Sequence, residues 1–509
     1  MLARRYWRSR EGNFAMTFAV VLPMLLGSIG LAVDFASLSR AHSKMQNALD
    51  AAVLAASRIN DKNLSRQQVF QDFFAANIAG ERALVNVVAE IEIEAGINYI
   101  STKGTASGDI RLMFPFLFGA SSQIAASSSA YESRDNLEVV LALDNTGSMG
   151  EARMKELRKA ATSLIDILAT VHSPDTDPKR EVRAALVPFV TAVNVKGTGF
   201  DNSWIDRTMQ SSQHGVNFEP RTNHLDLFGK LGLEWKGCVE ARPAPYNLSD
   251  DPPDPANPQT LFVPYFAPDE PGARRLPKDQ GSEFNNTYLD DMVAGTERER
   301  QRSTVKYDTS PRDMIRNAHA SVTSGPNYAC ATPIVPLTSD FAVLKSEIAK
   351  MIHWYGSGTN VSEGLAWSMR VLSPGQPYTE GAPFKSVNTS KFVVVFTDGE
   401  NNVFGASSQG INKSDYGAYG FIDQGRIDTN RSKALGKVNG WTLDVCESLK
   451  AKGVEIFTVL LGADTAANRQ LYTSCATTPQ HYYPTSDVSQ LDTVFKRIAS
   501  RIAKLYVTG

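Results

Sequence analysis

Three short stretches of this 509-residue chain carry hard oxygen donors suited to holding a cation. Asp144-Asn145-Thr146-Gly147-Ser148 offers a carboxylate and two hydroxyls at alternate positions, directly after the run Leu137 to Leu143, apolar but for Glu138. Gly147 lets the backbone turn there. Gly356-Ser357-Gly358-Thr359-Asn360 adds hydroxyls just ahead of a helical pattern that starts near Val361. Thr397-Asp398-Gly399 adds a second carboxylate at the end of the apolar run Lys391 to Thr397. Carboxylates and hydroxyls are ligands for a hard divalent cation. Taken singly, each stretch has a plainer reading: Asp144 caps a turn, Thr359 N-caps a helix, and Asp398-Gly399 is an ordinary turn.

The elements around these stretches decide what they become together. From Asp135 onward strands alternate with helices. Leu137 to Leu143, Val182 to Val190, Lys391 to Thr397 and Val454 to Leu461 are expected strands, and the last two are continuous apolar runs of the kind buried on both faces of a parallel sheet. Helices are expected over Arg153 to Ala169, Phe341 to Met351, Val361 to Leu372, part of Arg431 to Lys452, and a final segment after Asp487. In the first, Met154, Leu157, Ala161, Leu164 and Leu168 share one face. In the last, Leu491, Val494, Phe495, Ile498, Ile502 and Leu505 form the apolar stripe, with Asp487 as a cap. This alternation predicts a doubly wound α/β domain with a mostly parallel central sheet. Ligands of such sheets bind beyond the carboxyl ends of the strands, where the first and third stretches fall.

As a set, the three stretches resemble the metal-ion-dependent adhesion site (MIDAS) of von Willebrand factor A (VWA) domains. That family's pattern is Asp-x-Ser-x-Ser in a first loop, a threonine in a second and an aspartate in a third. Carried over by position, the metal ligands are Asp144, Thr146, Ser148, Thr359 and Asp398, with Thr146 replacing the first serine and keeping its hydroxyl. The resemblance covers residues 135–508 apart from an insertion. It implies a VWA-type fold, a bound divalent cation with Mg2+ first and Ca2+ or Mn2+ as alternatives, and a partner protein that presents an acidic group to the metal. Five ligands with only two carboxylates leave the cation much of its charge and room for a further oxygen.

Residues 195–335 do not fit the alternation. The stretch is dense in proline, with Asp251-Pro252-Pro253-Asp254-Pro255 at its centre, and is expected as irregular chain within the domain. Cys238 and Cys330 lie within it, and the remaining cysteines are Cys446 and Cys475. The absence of a C-x-x-C pair argues against a zinc or thioredoxin-like motif. Three disulfide pairings exist, and sequential order favours Cys238–Cys330 and Cys446–Cys475. Four buried free thiols are the alternative, and the compartment decides between them.

The compartment is read from the N-terminus. Phe14 to Val33 is free of charge and of the length that crosses a bilayer, and Pro23 is tolerated in such a helix. Arg4, Arg5, Arg8 and Arg10 precede it, whereas Arg40 and Lys44 follow at similar distance. The positive-inside rule puts residues 1–13 in the cytoplasm, 14–33 in the membrane and the bulk of the chain outside. A cleaved signal peptide is the rival, but no A-x-A-like site closes the run. Over residues 34–59, Phe35, Leu38, His42, Met45, Leu49, Ala52, Ala56 and Ile59 recur at spacings of three and four, forming an amphipathic stalk helix. Its seam packs either on the chain's own next domain or on a partner helix. Residues 60–134 are expected as a small α+β unit. Glu11-Gly12-Asn13, the apolar span with Pro23, Asp34, and Met45-Gln46-Asn47-Ala48-Leu49-Asp50-Ala51-Ala52 resemble the N-terminal segment of TadG-like Flp (tight adherence) pilus-assembly proteins. That resemblance implies an inner-membrane protein with pilus-assembly or envelope partners.

Bulk composition adds exclusions. A length of 509 residues exceeds one ordinary domain, and 42% hydrophobic residues suffice for a sizeable core. A formal charge of −2 implies no general affinity for nucleic acid. Three functional readings follow: a membrane-anchored, non-enzymatic binding protein for adhesion or pilus assembly; a metal-dependent envelope hydrolase, for which Glu400 and Glu363 adjoin two of the loops but read more plainly as acidic surface residues beside a turn; and a purely structural envelope protein. Phe404, Tyr416, Tyr419 and Phe421, after the third stretch, either form a partner surface or pack their own loop down.

Overall fold

The computed structural model describes residues 13–57, 65–95, 99–112, 121–133, 135–175, 180–272, 284–308, 324–354, 356, 358–403, 410–503 and 506–508. The chain forms two compact units. One comprises Met1–Arg134, Pro174–Lys179 and Lys504–Gly509; the other comprises Asp135–Ser173 and Arg180–Ala503.

The first unit begins with one continuous helix, α1 (Asn13–Ser57), with Pro23 inside it. Its first half displays Phe18, Val20, Met24, Leu25, Leu26 and Ile29 outward, and its length and composition suffice to cross a membrane. Its second half buries Ala41, Met45, Ala48, Leu49, Ala52, Val53 and Ala56 against Phe70 and Phe74 of α2 (Arg66–Ile78) and against a sheet. That sheet is an antiparallel meander, β1 (Leu84–Ala95), β2 (Tyr99–Arg111) and β3 (Ser121–Ser133), to whose β3 edge β12 (Tyr506–Thr508) adds. The seam of the stalk helix therefore packs on the chain's own domain. Phe35 and His42, expected on that seam, are exposed, and Ile59 lies outside the described residues. Gly104 permits the close approach: a Cβ there would lie 2.5 Å from Val53 Cγ2 and 3.0 Å from Leu49 Cδ1.

In the second unit the strands are β4 (Asn136–Asp144), β5 (Val182–Phe189), β6 (Val193–Asn194), β7 (Cys238–Val239), β8 (Val335–Thr338), β9 (Thr389–Thr397), β10 (Val454–Leu461) and β11 (Tyr482–Thr485). They form one eight-stranded sheet in the order β11-β10-β9-β4-β5-β6-β7, with β8 also on β5. The five strands from β11 to β5 are mutually parallel, and β6, β7 and β8 are antiparallel additions. The doubly wound α/β architecture with a mostly parallel sheet is thus the one observed. Successive residues of β4 point to opposite faces, and both faces are covered. Leu137, Val139, Leu141 and Leu143 pack with α3 (Gly150–Val171), α6 (Phe341–Lys350) and α10 (Leu491–Ile502). Val140 and Ala142 pack with α7 (Val361–Leu372), α8 (Arg431–Ala451) and α9 (Ala466–Cys475). Asp487 caps the short turn that leads into α10.

The proline-dense insertion is ordered by burial rather than by regular structure. Its described residues contribute the short helices α4 (His224–Lys230) and α5 (Glu297–Arg302), yet Trp204, Phe218, Phe228, Trp235, Phe262, Phe266 and Tyr307 join the main core. The expectation of irregular chain is corrected at Cys238–Val239, which extends the sheet through β6. Two buried arginines bind the insertion's loop carbonyls. Arg242 donates to the carbonyls of Tyr246, Ser249, Asp251 and Thr260, and Arg370 of α7 to those of Tyr246, Asn247 and Ser249. Both guanidinium groups stack on Phe262, at 4.9 and 5.5 Å. The disulfides are Cys238–Cys330, across the insertion, and Cys446–Cys475, joining α8 to α9.

Candidate metal centre

Strand order determines where the loops meet. The connection β4-α3-β5 winds to one side of β4, whereas β9 and β10 lie on the other. The carboxyl ends of β4 and β9 therefore flank the point where the winding reverses, and adjacent loops diverge there to leave a crevice. Asp144 is the last residue of β4 and Asp398 directly follows β9. Two carboxylates distant in sequence thus converge at the position an open α/β sheet reserves for ligands.

A chain of hydrogen bonds joins them. Thr146 donates to Asp144 Oδ1 from its backbone N at 2.9 Å and from its hydroxyl at 2.7 Å. Thr146 Oγ1 lies 3.0 Å from Ser148 Oγ, and Ser148 Oγ donates to Asp398 Oδ1 at 2.8 Å. Thr397 donates its hydroxyl to Asp144 Oδ2 at 2.7 Å, and Arg153, early in α3, donates to Asp398 Oδ2 at 2.6 Å. Four of the five predicted ligands are therefore connected in one cluster. Thr359 is tied to the third loop differently: its backbone N donates to Asn402 O at 2.7 Å and its O accepts from Asn402 N at 2.8 Å.

Three asparagines lace the loops together. Asn145 accepts the backbone N–H of Trp354 at 2.8 Å and donates its side chain to Ile352 O, so the first loop grips the chain ahead of the second. Asn360 donates its backbone N to Val190 O and its side chain to Thr191 O, at the end of β5. Its Oδ1 also accepts from Glu363 N, so Asn360, not Thr359, is the N-cap of α7. Asn401 accepts from Val361 N and donates to Thr442 on α8. Each satisfies backbone groups that a loop would otherwise bury unpaired.

The electrostatics of the cluster favour a cation. Asp144 is fully buried, and that burial, together with the charge of Asp398, raises its carboxyl to about 7 against the pull of its three hydrogen bonds. Asp398 is also buried. Two neighbouring carboxylates with hydroxyls between them form an oxygen donor set that fits a hard divalent ion. Among the described residues no group of three or more His, Cys, Asp or Glu side chains is placed to hold a metal; at this centre the remaining donors are hydroxyls.

The structure decides between the two readings of the aromatic residues and corrects that of Glu363. Tyr416, Tyr419 and Phe421 do not form an exposed surface: all three are buried, with Tyr416 against Tyr265 and Phe421 and Tyr419 stacked on Trp441. Tyr416 packs the loop onto Tyr265 of the insertion, and Tyr419 accepts from Asn247 of the insertion while stacking on Trp441 of α8. Phe404 lies outside the described residues. Glu363 is buried, accepts from Trp367 Nε1 at 2.9 Å and lies 3.7 Å from Arg370, so its carboxylate is engaged within α7, while Glu400 is exposed. The residues that sequence reasoning passed over are Arg153, Thr397 and the three asparagines. Thr397, adjoining Asp398, and Asn360, directly before the helical pattern at Val361, carried a local signal.

Comparison with known proteins gives two kinds of likeness. Residues 12–58 match the family described as Flp pilus-assembly TadE/G-like. Among solved structures, the chain is similar to the vWF domain of the type V pili tip protein Mfa5 from Porphyromonas gingivalis (12% identity, 72% of this chain and 95% of that one, TM-score 0.32). It is similar to the adhesive tip pilin GBS104 from Group B Streptococcus agalactiae (13% identity, 72% and 100%, TM-score 0.34). It is also similar to proximal thread matrix protein 1 from the mussel byssus with a zinc-occupied MIDAS motif (10% identity, 73% and 48%, TM-score 0.31). The chain spans about half the length of that matrix protein. No curated protein matches.

Proposed function

We propose that this chain is a membrane-anchored, non-enzymatic protein-binding protein that serves pilus assembly or adhesion at the cell envelope. The observation that carries this reading is the hydrogen-bonded cluster Asp144–Thr146–Ser148–Asp398 at the switch point of the sheet. Asp144, Thr146, Ser148, Thr359 and Asp398 would hold a divalent cation, Mg2+ first. When bound, the ion supplies an open coordination position for an acidic group of the partner. The chain's own residues do the rest. Asp144 and Asp398 provide the charge, the hydroxyls complete the oxygen set, and Asn145, Asn360 and Asn401 fix the loops. The match of residues 12–58 to a pilus-assembly family supports the cellular role. The first half of α1 serves as the anchor, with the four N-terminal arginines on the cytoplasmic side and the second unit in the periplasm or beyond.

Capture from envelope extracts tests the reading. Full-length protein in detergent should retain a partner in Mg2+, release it on chelation, and fail to capture it as Asp144→Ala, with circular dichroism showing the fold retained. Capture that survives both chelation and the substitution overturns the metal-bridged mechanism.

A further inference from the structure

The charges around the centre are unevenly met. Both oxygens of Asp144 accept from neutral donors, the N–H and hydroxyl of Thr146 and the hydroxyl of Thr397. Asp398 alone has a cationic partner, the Arg153 guanidinium at 2.6 Å from Oδ2. The contact is lopsided: the Arg153 side chain is 44% exposed and that of Asp398 1%. Arg153 therefore reaches in from solvent to a carboxylate that is already desolvated. Its neighbours leave it that task. Glu151, in the same turn, is paired with Arg158, and Lys155 is exposed.

We propose that Arg153 is a built-in competitor for the cation at this centre. Its guanidinium neutralises Asp398 in the metal-free protein, and a divalent ion must displace it to gain that oxygen. This rests on the reading of the cluster as a divalent-cation centre. A half-exposed ion pair is weak enough to be displaced, whereas a buried carboxylate left bare beside a second one is strongly unfavourable. Arg153 thus keeps the empty centre folded and sets the cation concentration at which it fills. Lysine would keep the charge but not the planar fork.

Binding of Mn2+ to the full-length protein in detergent, followed by the paramagnetic resonance of the free ion with Mg2+ as competitor, tests this. Arg153→Gln should tighten binding by roughly two- to fivefold, the factor expected on losing one such pair. Lys155→Gln, which makes the same change in net charge away from Asp398, should shift it by less than about twofold at physiological salt. Arg153→Lys should fall between wild type and Arg153→Gln. Without cation, Arg153→Gln should melt below wild type, and Mg2+ should raise its melting temperature by more. Equal effects of Arg153→Gln and Lys155→Gln, or weaker binding in Arg153→Gln, overturn the proposal. Failure of every form, wild type included, to bind Mn2+ overturns the metal reading, and the competitor role with it.

Discussion

Ser148 Oγ donates to Asp398 Oδ1 at 2.8 Å, joining residues 250 positions apart in sequence. The bond links the loop after β4 to the loop after β9, the two strands that flank the sheet's switch point. Ser148 itself is exposed, so its hydroxyl contributes little to folding. Ser148→Ala should change unfolding free energy by less than about 1 kcal/mol. As a lost ligand, it should weaken Mg2+ binding by roughly tenfold, measured by calorimetry.

Gly104 governs how closely α1 lies on its sheet. Phe70 is 3.2 Å from where a Cβ would stand, in addition to Val53 and Leu49. Gly104→Ala should destabilise the first unit by about 1–3 kcal/mol through overpacking. Gly104→Val should abolish its cooperative unfolding, with faster amide exchange along the second half of α1.

The Cys238–Cys330 bond closes a loop with a sequence separation of 92. On the chain-entropy account, replacing both cysteines by serine should destabilise the second unit by about 4–5 kcal/mol. A thermal melt of the double variant should fall between that of the oxidised wild type and that of the wild type under reducing agent, which also loses Cys446–Cys475. Limited proteolysis should cut first within the insertion.

Arg242 satisfies four loop carbonyls at once. Arg242→Met keeps much of the stem but leaves the Asp251 and Thr260 carbonyls without that donor, those of Tyr246 and Ser249 being also met by Arg370, and should destabilise by about 2–4 kcal/mol in denaturant unfolding. Arg242→Lys should recover only part of this, because one ammonium cannot reproduce the fork.

Glu270 gives the insertion a pH dependence. Burial, opposed by hydrogen bonds from Asn412 and the Asn286 N–H, raises its carboxyl from 4.5 to about 8. Between those values the folded state holds a proton that the unfolded state has released, so stability falls as pH rises. Wild type should lose stability from about pH 4.5 to about pH 8, on the order of a few kcal/mol from this group. Glu270→Gln should flatten that part of the profile, measured as the difference between the two melting curves across the range.

The sequence by itself determined the elements and the donor types. The apolar run Val454 to Leu461 and the stripe of Val361 to Leu372 are strand and helix over those same residues, because the period of burial is a local property. The long apolar N-terminal segment was equally legible. Tertiary structure alone decided how the donors meet. That Ser148 reaches Asp398 follows from β4 lying between β5 and β9, and strand order is a consequence of packing that no local pattern carries. The same holds for Arg153, whose helix turn has the composition of any solvated surface until Asp398 is folded against it. It holds too for Tyr416, Tyr419 and Phe421, where only the insertion folding over their loop decided that three aromatic rings are core instead of surface.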